Sequence, residues 1–313
     1  MPMFSLRYGH TSVKKYDGIE KGTSSLWAFR MSKAYGTLPE KLEHELNPNV
    51  IKNFDYSEQQ IKTAKLFRIG FYKRLLRPED IFKVLCYCPV TLEMRIFSSI
   101  FNDQDGIVTM PDGDDKEEDV AHAVTVVGYK DDNFIIDNRY WPDWGNKGMG
   151  TVSLEYLKKY FITAFAFSGF VLPELQKRKT LFREEFKFNN VRYYFDAFAE
   201  NNFQCDKRAH YNIEVTDDEK NLIGWAHLAV DKETTELLEL FVLTEYRRQG
   251  IGSALIKYII KHTNTEKFTG YVAGQDLISE REEIVKSFFL KNGFLLHTDS
   301  SSFKDCRSRI EKL

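Results

Sequence analysis

The sequence lacks several features that would place it in a broad class at once. No stretch approaches about eighteen consecutive apolar residues, the length that spans a membrane, so we expect no membrane helix. The formal net charge is −2, which leaves no overall positive field to attract nucleic acid. Residues 1–10 have no long apolar core and do not resemble a secretory signal.

Cysteine is also scarce. The chain has four, Cys86, Cys88, Cys205 and Cys306, and their spacing is that of no metal site that we recognise. Cys86 and Cys88 are two positions apart in a segment that we expect to be a strand, so their side chains would point to opposite faces and could not easily pair. We therefore expect a reducing, cytoplasmic setting and no bound metal.

The length is comfortable for two domains. The 313 residues are 42% hydrophobic and 29% charged, which is typical of a globular protein. A charged segment that begins with proline, residues 173–179, is typical of a domain boundary. We predict one domain over residues 1–175 and a second over residues 180–313.

Two segments leave alternatives open. Pro111–Asp119 is an acidic loop with a glycine, which fits either a Ca2+ site or the commoner solvated loop. Arg183–Asn202 contains many aromatic residues and fits either a packed helix or a connection buried against one domain.

A glycine-rich turn in the second half carries the strongest signal. The apolar segment Leu237–Leu243 predicts a strand, and Leu255–His262 has the apolar spacing of a helix. Between them stands Arg247-x-x-Gly250-x-Gly252. Glycines let a ligand approach the backbone, and the first N–H groups of a helix have no internal partner, so such a turn suits a pyrophosphate. The alternative is an ordinary strand–turn–helix connection.

This motif resembles the acyl-CoA-binding signature of the GNAT acetyltransferase superfamily. Three strands, a helix, a strand, a helix and a strand follow in the order of that family over about Ala209–Leu313. The resemblance implies a GNAT-type α/β domain with a central mixed sheet, and acetyl-CoA as cosubstrate. The cofactor-binding residues that it implies are Phe241, Val242, Arg247, Arg248, Gln249, Gly250, Ile251, Gly252 and Ser253.

The resemblance also implies the catalytic groups. Glu239, in the strand before the turn, is the candidate general base that takes the proton of the amine; a surface glutamate is the alternative. At the family's general-acid tyrosine this chain has Phe289, which cannot donate a proton. His227 and Tyr271 are alternative catalytic groups. The acceptor is a peptide, a protein or a small amine, and the sequence does not say which.

The first half carries a different arrangement. His122 begins an alternating segment that turns at Asp131–Asn133 and returns to Asn138, so a hairpin would bring His122 and Asn138 together. An amide oxygen can orient a histidine that acts as a general base, or the two residues can simply satisfy each other. This half of the chain resembles the papain-like cysteine peptidases in the order of its sequence blocks, which are Gly22–Phe29, His122, Asn138 and Trp144. The resemblance implies a papain-like α+β domain.

One departure removes the expected chemistry. In papain-like peptidases the nucleophilic cysteine directly precedes the Trp-Ala-Phe segment, and here that position is Leu26. The upstream glutamine of the oxyanion hole is missing too, since only Glu20 and Lys21 lie there. Ser24 and Ser25 are close but out of register, and are better explained as helix caps. His122 and Asn138 would then be a vestigial dyad.

These observations give three hypotheses. The first is a two-domain α+β protein whose GNAT half acetylates an amine and whose inactive papain-like half binds or presents a peptide or protein. The second is a binding or adaptor protein in which neither domain is catalytic. The third is a peptidase that uses Ser24 or Ser25, which Leu26 disfavours.

Overall fold

The computed structural model describes residues 24–39, 56–101, 105–118, 121–138, 143–167, 169–171, 178–200, 207–273, 279–297 and 306–312. The helices in these ranges are α1 (Ser25–Ala34), α2 (Glu58–Ala64), α3 (Asp80–Val84), α4 (Leu154–Tyr160), α5 (Ile251–Thr263) and α6 (Ser279–Lys291). No helix in these ranges is long and apolar enough to cross a membrane.

The strands of the described residues form three sheets. In chain order they are β1 (Arg68–Ile69), β2 (Tyr72–Leu75), β3 (Val90–Met94), β4 (Ile107–Val108), β5 (His122–Lys130), β6 (Asn133–Asp137), β7 (Met149–Ser153), β8 (Phe161–Phe167), β9 (Phe170–Val171), β10 (Thr180–Phe188), β11 (Val191–Ala199), β12 (Ala209–Asp217), β13 (Leu222–Val230), β14 (Thr234–Val242), β15 (Lys267–Ala273), β16 (Leu295–His297) and β17 (Cys306–Lys312). The small sheet pairs β1 with β9.

The described residues fall into two compact units that do not simply follow each other along the chain. One takes those between Leu26 and Phe71 together with those from Gly169 onward, and we call it the eight-stranded unit after its main sheet. The other, the seven-stranded unit, takes those up to Ser25 and those from Tyr72 to Ser168. The predicted boundary near residues 175–180 stays a prediction, and the division by contacts adds residues 26–71 to the C-terminal half.

The seven-stranded unit contains the predicted hairpin. Its sheet has the order β2-β8-β3-β5-β6-β7-β4, and β5 pairs with β6 through a turn in which Asp131 has a φ of 53°. The pairing confirms the hairpin. The expected strand around Cys86 and Cys88 is wrong, because both residues lie in the turn that follows α3. Both are free cysteines.

The acidic loop of this unit is held by its own hydrogen bonds. Asp115 Oδ1 accepts from Ser98 Oγ at 3.1 Å and from Ser99 N at 2.9 Å. Within the described ranges, no three His, Cys, Asp or Glu side chains are grouped so that they could hold a metal ion. The structure therefore explains the acidic residues by loop geometry.

The eight-stranded unit has the strand order β10-β11-β12-β13-β14-β15-β17-β16. Neighbours are antiparallel except β14 and β15, which are parallel and joined through α5, so the sheet is mixed as predicted. The predicted succession of β12, β13, β14, α5, β15, α6 and β16 is confirmed.

Neither alternative for Arg183–Asn202 was right, because the segment forms the hairpin β10–β11 and not a helix or a connection. Asn189 and Asn190 both have positive φ, 46° and 65°, as the tight turns that match strand twist require. Asparagine tolerates that region better than other side chains. The paired asparagines were therefore the signal that could have predicted the hairpin.

Helix α5 covers one face of this sheet. Its residues Ile251, Leu255, Ile256 and Ile259 are buried at helical spacing and belong to a core cluster that includes sheet side chains. In β13, Ala226 and Leu228 belong to the same cluster. Because side chains alternate along a strand, Trp225 and His227 lie on the opposite face.

That opposite face is covered by α1 and by the residues before β2. The Trp27 ring meets the Phe241 ring edge-on with centroids 5.5 Å apart, and Phe71 lies 4.4 Å from the His227 ring. The side chains of Leu26 and Met31 are also buried. A helix far away in sequence therefore forms one layer of the eight-stranded unit.

Candidate functional site

The predicted turn has the backbone geometry of an anion site. Arg248 and Gly250 both have positive φ, 62° and 75°, and α5 begins at Ile251. The first hydrogen bond of α5 runs from Ala254 N to Gly250 O, at 2.9 Å. The N–H groups of residues 251–253 precede it, so they point out of the helix end and carry its partial positive charge. The turn can therefore hold a phosphate group.

The two glycines of the motif have different structural reasons. Gly250 adopts a left-handed conformation in which a side chain is strained. Gly252 has an ordinary conformation, but a Cβ atom there would lie 3.1 Å from the Phe288 ring of α6. Gly252 thus permits the close approach of two helices, independently of any ligand.

Two predicted cofactor residues hold the shape of the turn. Arg247 Nε donates to Val242 O at 2.9 Å, and its guanidinium lies 5.3 Å from the Phe241 ring centroid. Gln249 Oε1 accepts from Tyr193 Oη at 2.8 Å. These side chains connect the turn to the end of β14 and to β11, which fixes the direction of the outward N–H groups.

The strand before the turn is open on one edge. Strands β14 and β15 pair only from Thr234–Lys267 to Leu237–Gly270, although β14 continues to Val242. Along the described part of the sheet, no strand pairs with the β15-side edge of residues 238–242. A bulge places one extra residue, Leu238, between the rungs that join β13 to β14. This open edge ends at the turn.

Glu239, the predicted base, lies in a buried ion pair. Its Oε1 accepts from Arg30 Nε at 2.9 Å and from Arg30 Nη2 at 2.7 Å. The side chains of Arg30 and Glu239 are only 3% and 10% exposed. The Arg30 guanidinium also lies 4.6 Å from the Phe241 ring centroid and 5.4 Å from that of Trp27. The structure therefore holds this carboxylate beside a cation, on the face that α1 covers.

The alternative catalytic groups are less accessible. His227 is the register partner of Glu239 and is fully buried against Phe71. The Tyr271 side chain lies outside the described part of the chain. Phe289, at the expected tyrosine, is buried in the core with its ring 5.6 Å from that of Phe294. No hydroxyl group is present at that position.

Four buried charges beside this face were missed by the sequence analysis. Lys33 Nζ lies 3.2 Å from Glu214 Oε1, and the two outer nitrogens of Arg178 pair with Glu214 at 2.8 Å and with Glu200 at 3.0 Å. Burial lowers the pKa of Lys33 to about 8. Burial opposes ionisation of Glu214, but the charges of Lys33 and Arg178 outweigh it and lower the pKa of that carboxyl. Nothing in the local sequence signals these pairs, because their partners lie in distant segments.

In the seven-stranded unit, the hairpin brings His122 and Asn138 together as the sequence predicted. His122 Nε2 and Asn138 Oδ1 are 3.0 Å apart, and Asn138 is 3% exposed. Burial lowers the pKa of His122, although the Asn138 bond acts against that shift. Trp144 Nε1 donates to Ile100 O at 3.1 Å.

At the position that the peptidase resemblance assigns to the nucleophile, the chain has no reactive group. Leu26 is 1% exposed, and the nearby Ser24 and Ser25 are buried as well. The backbone N–H of Ser25 donates to Glu93 Oε1 at 2.7 Å, so a carboxylate sits at the first turn of α1. A negative charge there would oppose the development of an oxyanion. Glu20 and Lys21 lie outside the described residues.

Comparisons with known proteins place the C-terminal part. Residues 209–295 match the family model of the acetyltransferase (GNAT) domain. Among solved structures, a GNAT acetyltransferase from Staphylococcus aureus MU50 is 17% identical, with 33% of this chain and 67% of that chain covered and a TM-score of 0.28. The PaiA N-acetyltransferase from Thermoplasma acidophilum, in complex with coenzyme A, is 25% identical, with coverages of 33% and 60% and a TM-score of 0.27.

A third solved structure is a spermidine N-acetyltransferase from Vibrio cholerae, 21% identical, with coverages of 33% and 64% and a TM-score of 0.26. This chain thus spans about two thirds or less of the length of these three proteins. No curated protein matches the chain. The match of residues 209–295, with the mixed sheet and the turn, shows that this part of the chain is an acetyltransferase (GNAT) domain.

Proposed function

We propose that the protein is an acyl-CoA-dependent N-acyltransferase that transfers an acyl group, most simply acetyl, from CoA to an amine. The observation that carries this proposal is the open edge of β14, residues 238–242, which ends at the anion-binding turn of residues 247–253. The family match over residues 209–295 supports it.

The two features suit the two ends of an acyl-CoA arm. We propose that backbone N–H groups of residues 248–253, with the outward ones of residues 251–253 foremost, would hold the pyrophosphate at the start of α5. The amides of the pantetheine arm would pair with the open edge of β14 like an added strand. Phe241 and Val242 belong to that edge, which supports the proposal that their backbone would receive the arm.

The reaction requires two proton movements. The amine nitrogen attacks the thioester carbonyl, a C–N bond forms, the C–S bond breaks, and CoA leaves as a thiolate. Glu239 is the proposed acceptor of the ammonium proton, directly or through water. Phe289 cannot protonate the leaving thiolate, so we propose that the thiolate takes its proton from water.

A charge placed at the turn tests donor binding. Ser253→Asp would put a carboxylate in the first turn of α5, where it favours the helix but repels a pyrophosphate. Calorimetry should show acetyl-CoA affinity reduced by about tenfold or more, which is about 1.4 kcal/mol. Ser253→Asn, the neutral variant of the same size, should bind nearly as the parent does. Equal affinity for all three proteins would contradict the proposed site.

A second function, a binding or adaptor protein without turnover, has its own support. Phe289 removes one proton donor, and Arg30 occupies the carboxylate that would serve as base. In that case acetyl-CoA would bind, but no free CoA thiol would appear with any acceptor. A panel of a lysine peptide, a peptide with a free N-terminus and a polyamine separates the two functions.

We further propose that the seven-stranded unit is a papain-like domain that does not cut and that binds or presents the peptide or protein acceptor. Its support is the His122–Asn138 pair within this unit and the sequence resemblance, in which a leucine stands at the position of the nucleophilic cysteine. A peptide already acetylated at its acceptor amine should raise KM for the matching peptide. It should leave the kinetics of a small amine unchanged; equal inhibition of both would contradict presentation.

A further inference from the structure

Helix α1 brings a charged residue to the candidate site from 209 positions away in the sequence. Arg30 points from α1 towards the sheet face that bears Glu239, where two of its donor nitrogens bind the same carboxylate oxygen. The guanidinium also lies beside the rings of Trp27 and Phe241, 5.4 Å and 4.6 Å from their centroids. A cation fixed by aromatic rings and nearly removed from water cannot easily take another position.

The contact lies next to the opening in the sheet. Glu239 follows the bulge residue Leu238 and belongs to the stretch of β14 that β15 leaves unpaired. Phe241, under the Arg30 guanidinium, belongs to the same stretch. Arg30 therefore acts on the part of the strand along which acyl transfer is proposed to take place.

We propose that Arg30 is a positioning residue for acyl transfer, which holds the Glu239 carboxylate ionised and in place and so makes α1 part of the transferase unit. This inference rests on the proposed function. It places a required group of the reaction outside the segment that matches the acetyltransferase domain, since that match begins at residue 209.

Several groups shape the electrostatics around Glu239. Arg30 faces it from α1, and His227 faces it from β13 as its register partner. Two further cations lie over rings of this face: Arg247 over Phe241, and Lys33 over Trp225, where Lys33 is paired with Glu214. A nearby cation favours the ionised form of a carboxylate, and the Arg30 guanidinium lies within hydrogen-bond distance of Glu239.

The test uses the full chain with acetyl-CoA and the most active amine of the panel described above. Arg30→Met should lower kcat about tenfold or more, because a carboxylate held out of position loses much of its effect. KM for acetyl-CoA should change little, and the acid limb of the kcat/KM profile should move upward by about one pH unit. Arg30→Lys should restore the acid limb but only part of kcat, since it keeps the charge without the fork.

Lys33→Met supplies the matched control, because Lys33 lies one turn along the same helix and pairs with Glu214 instead. It should change stability but leave the pH profile of the parent. If Arg30→Met does not fold, the comparison of Arg30→Lys with Lys33→Met decides. A folded Arg30 variant with the kcat and pH profile of the parent would overturn the inference.

Failure of the proposed function gives a different result. If the parent releases no CoA thiol with any amine of the panel, acyl transfer itself is wrong and the role of Arg30 falls with it. If the parent is active and the Arg30 variants keep its kcat and its pH profile, acyl transfer stands and only the positioning role is wrong.

Discussion

The turn before α5 would bind its ligand through backbone groups, whereas the His122–Asn138 pair would act through side chains. At the turn, the groups that would bind a ligand are backbone N–H groups, which depend on a helix start and on the left-handed Gly250. In the seven-stranded unit, the His122–Asn138 pair could act only through side chains, and peptidase chemistry would also require a side-chain nucleophile. A backbone site tolerates many side-chain changes, whereas a side-chain site is lost with one.

The same contrast appears between the two ends of the proposed transferase. Donor binding is assigned to backbone that lies within the segment matching the family model. Positioning of the base is assigned to Arg30, a side chain from outside that segment. The first can be inferred from a short motif, and the second only from the packing of α1 on the sheet.

The largest expected effect comes from removing α1. A fragment that starts at Lys179 lacks Trp27, Arg30, Lys33 and Arg178, so it would expose the Phe241 face and leave buried Glu214 without either of its cationic partners. We expect such a fragment to aggregate or to melt without a cooperative transition, measured by circular dichroism beside the full chain. A cooperative transition at the melting temperature of the full chain would show that α1 is dispensable.

Two glutamates, each paired with two cationic side chains, allow the stability contribution of a buried ion pair to be compared with that of an exposed one. Glu214 is 15% exposed and holds Lys33 and Arg178, whereas Glu184, 33% exposed, holds Lys261 and His262. Glu214→Gln leaves buried cations uncompensated and should lower the free energy of unfolding by about 3–5 kcal/mol. Glu184→Gln should lower it by less than about 1 kcal/mol. Denaturant titration measures both, and equal losses would contradict the assignment.

Local patterns in the sequence predicted the order of strands and helices from β12 to β16 and the turn itself. Alternation and helical spacing are properties of short segments, so they can be recognised without the fold. The hairpin β10–β11 was missed because many aromatic residues in one segment are compatible with a packed helix as well as with a strand, and only the two asparagines indicate the turn. The Arg30–Glu239 and Lys33–Glu214 pairs could not be predicted, because each joins residues more than 180 positions apart.

Lys33 should give the stability of the protein a measurable pH dependence. Its pKa falls from 10.5 in the unfolded chain to about 8 in the fold, so between these values the unfolded chain binds more protons. Stability therefore rises as pH increases from about 8 to 10.5, and it is lower where Lys33 must be charged in the fold. The unfolding free energy of the parent minus that of Lys33→Met should therefore increase by roughly 1–3 kcal/mol as pH rises across this window. A constant difference would contradict the shifted pKa.

The smallest expected effect is on peptide hydrolysis, where we expect none. Leu26 supplies no thiol, buried Ser24 and Ser25 lie out of register, and the Glu93 carboxylate accepts a hydrogen bond from the backbone N–H of Ser25. An epoxide inhibitor of cysteine peptidases should therefore label no residue of α1. Fluorogenic peptides should be hydrolysed no faster with the protein than in buffer alone. Labelling has to be mapped by mass spectrometry, because the exposed Cys86 can react with thiol reagents by itself. The control is Ser25→Ala, which should behave as the parent does. If the parent hydrolyses peptides and this variant does not, Ser25 is a nucleophile and the prediction is wrong.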